Sequence, residues 1–71
     1  MRVLRANKEQ LAELNGYRNG NSMIAFFPDY AGNMVTSIGV LTDPDFEPIR
    51  DQLLKLEEID YVEFPNDDKD I

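Results

Sequence analysis

The local patterns of the chain predict a small α+β domain: a βαββαβ ferredoxin-like sandwich, with a four-stranded antiparallel sheet and two helices on one face. Three observations carry this expectation. Phe46, Ile49, Leu53 and Leu56 recur at spacings of 3, 4 and 3, the stripe of an amphipathic helix. Two apolar stretches, 22–27 and 34–41, flank the turn-forming run Pro28-Asp29-Tyr30-Ala31-Gly32-Asn33, the pattern of an antiparallel hairpin. Residues 59–64, Ile59-Asp60-Tyr61-Val62-Glu63-Phe64, alternate as a last strand does.

The elements follow in order. Val3 and Leu4 sit between arginines and form a brief first strand; without it the sheet would have three strands. Asn7 is a good N-cap, and Gln10 three residues on completes a capping box. Leu11 and Leu14 then mark a helix over 8–15, which Asn15-Gly16 stops because Gly accepts the left-handed conformation past a helix end. Residues 16–21 are dense in turn formers and read as loop. The strand 22–27 ends at Pro28, which has no N–H for a central ladder. In 34–41, Met34, Thr36, Ile38 and Val40 share one face, and Val35, Ser37, Gly39 and Leu41 the other. The second helix opens with Asp45 as N-cap, which places Pro48 at the third helical position, where a missing N–H costs nothing. Asp51 and Lys55 stand at i, i+4 as an ion pair.

Right-handed crossovers give the strand order 4-1-3-2, with the first and last strands adjacent. Arg2 or Arg5 then lies within reach of Asp60 or Glu63. The expected core is Leu4, Leu11, Leu14, Ile24 or Phe26, Ile38, Val40, Phe46, Ile49, Leu53, Leu56, Val62 and Phe64. One domain covers 1–64, and 65–71 form an acidic flexible tail.

Composition narrows the function. The 71 residues carry 7 Lys and Arg against 14 Asp and Glu, a net charge of −7. Residues 43–71 hold 11 of the 14 acids, so phosphate backbones are repelled and direct nucleic-acid binding is disfavoured. With no Cys and no His, the chain lacks disulfides, thiolate metal sites, and the commonest general base and transition-metal ligand. No apolar run approaches the ~20 residues of a membrane span, and the first residues show no signal-peptide pattern, so a cytoplasmic protein that does not enter membranes is expected.

Motifs for chemistry are missing. Asp43-x-Asp45-x-Glu47 opens like a calcium loop, but Pro48 and Leu54 occupy the places of its Gly and its bidentate Glu, and helix-start charge accounts for these acids. Asp67, Asp68 and Asp70 are read as tail rather than as a metal site. No Gly-rich phosphate loop is present, and the hydroxyls lack an activating His. Neither cofactor nor metal is expected, and the chain is not read as an enzyme.

The expected role is a small acidic protein-interaction module that binds a protein partner, most simply a second copy of itself as a two-fold dimer, through the open sheet face or the edge strand 22–27. A chain this short has a marginal core and no covalent staple, which favours association. The candidate interface residues are Phe26, Tyr30, Val35, Tyr61 and Glu63. Aromatics on an open sheet face also stack bases in RNA-recognition domains, but the basic, glycine-aromatic signature is absent here. Cross-strand packing weighs slightly more than an interface for these rings. The alternative is an acidic decoy that mimics nucleic acid and occupies a nucleic-acid-binding protein. A small-molecule binder or an enzyme comes last.

Overall fold

The computed structural model describes residues 1–61. The end of the predicted last strand, the predicted core residues Val62 and Phe64, the candidate interface residue Glu63 and the predicted tail 65–71 lie outside the described residues. The rest is an α+β domain whose four-stranded antiparallel sheet comprises β1 (Arg2–Ala6), β4 (Phe27–Pro28), β5 (Met34–Ser37) and β6 (Glu57–Asp60). Their order is β4-β5-β1-β6. The first strand, the least supported by sequence, is thus central: Leu4 stands opposite Thr36 on one side and Glu58 on the other.

Helix α1 (Lys8–Leu14) begins with the expected capping box. The Gln10 N–H donates to Asn7 Oδ1 at 2.8 Å, and the Asn7 N–H donates to Gln10 Oε1 at 2.9 Å. Gly16 follows the helix at φ 86°, in the left-handed region.

Four departures from the sequence reading have local causes. Residues 16–21 are not an open loop: β2 (Arg18–Asn19) pairs with β3 (Ser22–Met23). Gly20, at φ 63°, starts the two-residue turn between them, and such hairpin turns need positive φ. The predicted strand 22–27 is therefore divided. Its first two residues pair back to β2, and its last, with Pro28, forms β4. Between them, the Phe26 N–H donates to Asn15 Oδ1 and Thr36 Oγ1 donates to the Ala25 carbonyl.

The predicted strand 34–41 stops at Ser37, whose Oγ accepts from the Gly39 N–H and caps a 3-10 turn over Ile38–Leu41. The two-residue alternation ends there, so Ile38 is 37% exposed instead of core, while Val40 is buried. Finally, Asp43 rather than Asp45 is the N-cap, with Pro44 in the first turn. Proline's fixed φ suits that position, and its N–H is not missed there. A 3-10 stretch Pro44–Ile49 containing Pro48 precedes α2 (Arg50–Leu53). Because α2 ends at Leu53, Asp51 and Lys55 are not on one helix, and their predicted ion pair is not formed.

Leu4 and Ala6 of β1 share one core cluster with Leu14 of α1, Leu53 of α2, and Ile24, Phe26, Val40, Phe46 and Leu56. Leu11 and Ile49, predicted as core, pack against it partly buried. Val3 and Val35 are also buried, at 4% and 0% exposure, but stand outside this cluster. Strand alternation puts them on the opposite face of the sheet.

Candidate interaction surface

That second face is built from paired rows. Phe27 stands opposite Val35, Val35 opposite Arg5, and Arg5 opposite Glu57. In the next row Ser37 faces Val3, and Val3 faces Ile59. Directly opposed residues point to the same side, so two valines lie in the middle of this face with a phenylalanine at one margin and an isoleucine at the other. Tyr61, two residues past Ile59, continues the same side. Its ring reaches Phe27, with centroids 6.1 Å apart and planes at 67°. The aromatic pair thus shares this face with the buried Val3 and Val35. Phe27 itself stays 43% exposed.

Charge on the sheet is locally balanced. Arg2 Nε contacts Glu58 Oε2 at 3.0 Å, and Arg2 Nη1 contacts Asp60 Oδ1 at 3.0 Å. The predicted reach of Arg2 to Asp60 is thus found. The Arg2 guanidinium titrates above the usual arginine value, held first by Glu58 and then by Asp60. Arg5 pairs with Glu57 on the second face.

The sequence-derived candidates are scattered. Phe26 is buried in the core cluster at 8% exposure, and Val35 is fully buried within this single chain. Tyr30 is exposed in the β4–β5 turn, away from the ring pair in sequence. Tyr61 is half-buried against Phe27. Sequence reasoning missed Phe27 as the exposed aromatic of its segment. The clue was Pro28: a proline in an outer strand turns its nitrogen outward, so its neighbour Phe27 bonds inward to Val35 and carries its ring with the row of Val35.

Among the described residues no group of three or more acidic side chains is arranged to hold a metal ion, and no helix is long and apolar enough to cross a membrane. Asp43 and Asp45 have local work: Asp43 Oδ1 accepts from the Asp45 N–H at 2.9 Å, and Asp45 Oδ2 accepts from the Ser22 hydroxyl. An open groove of about 280 Å³ runs between the start of α1 and the β4–β5 turn, with Arg5, Lys8, Leu11 and Asn33 on its walls. No family model, characterised protein or solved structure matches the chain.

Proposed function

We propose that the chain is a small protein-interaction module, with the connections of a ferredoxin-like domain, whose second sheet face docks a second copy of itself. The Phe27–Tyr61 pair carries this reading. It puts an aromatic ridge, partly exposed, on the face that carries two buried valines and that the core cluster does not use. Aromatic residues are enriched at interfaces because they bury large area at low entropic cost. Arg5 and Glu57 share the same face. Across a two-fold axis a patch meets itself, so one copy's arginine can face the other's glutamate, and the patch is complementary to its own copy.

A short chain without disulfides also gains from a partner. The nucleic-acid-mimicking decoy has less support, since the carboxylates of Asp43, Asp45 and Glu57 are engaged within the chain.

The test is sedimentation equilibrium of the full chain over a dilution series from well above micromolar, with Phe27→Glu alongside. The wild type is expected to dimerise more tightly in moderate salt than in very low salt, because two chains of −7 repel. Phe27→Glu is expected to be monomeric with an unchanged circular dichroism spectrum. A wild type that stays monomeric throughout overturns self-association.

A further inference from the structure

The two outer strands of the sheet treat their outer edges in opposite ways. The Tyr61 N–H donates to the Met1 carbonyl, and this bond sets the phase of the β1–β6 ladder. Opposed residues in an antiparallel pair alternate between bonded and non-bonded. Ile59 opposite Val3 and Glu57 opposite Arg5 are therefore the bonded pairs. Glu58 and Asp60 turn their N–H and C=O groups away from β1, and no described residue meets them.

On the other side, the Asp29 N–H donates to the Asn33 carbonyl at 2.8 Å, so Phe27 bonds Val35 while Phe26 and Pro28 face outward. Pro28 has no N–H to offer, and the Phe26 N–H is taken by Asn15 Oδ1 at 3.1 Å. The β4 edge thus offers no free N–H, while among the described residues the β6 edge presents two donors and two acceptors, about 7 Å apart along the strand. Unpaired edges of this kind are templates for another chain.

Charge selects the occupant. The strand β6 carries Glu57, Glu58 and Asp60, with side chains of Glu58 and Asp60 still 48% and 74% exposed. A second copy of β6 would bring three more acids alongside, and like charges across strands are destabilising. The acids thus reject self-pairing at this edge without closing it. Ile59, between Glu58 and Asp60, and Tyr61, just after Asp60, are half-buried on the second face. We propose that the outer edge of β6 is a strand-addition site for an extended basic segment of another protein, with Lys or Arg beside Glu58 and Asp60 and apolar residues beside Ile59 and Tyr61. Main-chain bonds to Glu58 and Asp60 hold the segment, and alternating side chains select it.

The proposal goes beyond the self-docking face and stands on a different observation, so the two fail separately. The probe is a fluorescent peptide of four lysines alternating with three valines, titrated into the full chain. Its control carries a methyl group on every main-chain nitrogen, which keeps the charge and the side chains and removes the ladder donors. The valine peptide is expected to bind about tenfold or more tightly than the control, a factor within the worth of a few ladder bonds. It should slow hydrogen exchange at the Glu58 and Asp60 amides.

Glu58→Pro removes an outward N–H that β1 does not use, so the ladder can persist, and it should narrow the preference for the valine peptide, because one of the four outward groups is lost. Glu58→Gln keeps the N–H and should retain it with weaker binding. Phe27→Glu should leave the preference unchanged. Equal binding of both peptides, exchange protection absent from residues 58 and 60, or no binding of the valine peptide would each overturn the proposal. The peptide comparison on the wild type decides the matter even if the proline variant does not fold.

Discussion

The Phe27 ring meets the Tyr61 ring edge-on at 6.1 Å, although one lies on an outer strand and the other just past the end of the opposite outer strand. The contact ties the two margins of the sheet on the face that carries the buried Val3 and Val35. Such a pair contributes about 0.5–1.5 kcal/mol beyond area burial. In a double-mutant cycle of Phe27→Ala and Tyr61→Ala, urea unfolding should give a coupling energy in that range. Strictly additive losses would mean that the rings do not interact in solution.

Two adjacent leucines at the end of α2 have opposite fates. Leu53 is fully buried in the core cluster, and Leu54 is 63% exposed. Leu53→Ala should cost about 2–5 kcal/mol through lost burial and a cavity, whereas Leu54→Ala should stay within about 0.5 kcal/mol. Thermal melts of both variants check which face of the helix is buried. Equal losses would show that the helix is rotated from the described packing.

The same contrast shows what the sequence made legible. The stripe Phe46, Ile49, Leu53, Leu56 located the buried face correctly because helical periodicity survives even where 3-10 geometry replaces the first turns. The capping box at Asn7 and Gln10 was legible because its chemistry is local. The strand 22–27 was misread because a run of apolar residues does not reveal which partner each residue takes. Gly20 turned Ser22 and Met23 back onto β2, and the side chains of Asn15 and Thr36 took up the polar main-chain groups that follow. The interface candidate Phe26 went into the core cluster for the same reason, since a one-residue change in pairing exchanges faces, whereas Val35 stands on the second face, as the alternation of 34–41 placed it, and is buried there within the single chain.

Arg2 joins two carboxylates of the neighbouring strand, Glu58 and Asp60, each at 3.0 Å. All three side chains are well exposed, so the network acts on register more than on stability. Arg2→Gln should lower the melting temperature slightly at low ionic strength, and molar salt should erase most of the difference, because screening weakens exposed pairs. A difference that persists in molar salt would point instead to lost packing of the arginine stem.

Asp29, 7% exposed, organises the β4–β5 turn through its carboxylate. Oδ1 accepts from the Ala31 N–H at 2.9 Å and the Asn33 N–H at 2.8 Å, and Oδ2 accepts from Asn33 Nδ2 at 3.3 Å. The Gly32 N–H meanwhile donates to the Asp29 carbonyl, with Gly32 at φ 88°. The two main-chain donors need an acceptor at Oδ1 and do not require a charge. Asp29→Asn keeps an oxygen there and should cost less than Asp29→Ala, which leaves both donors without their partner and should cost about 1–3 kcal/mol. Because the turn sets Phe27 opposite Val35, Asp29→Ala should also loosen the ring pair, visible as broader aromatic resonances of Phe27 and Tyr61. Urea unfolding ranks the two variants; if Asp29→Asn is as destabilised as Asp29→Ala, the charge rather than the acceptor geometry holds the turn.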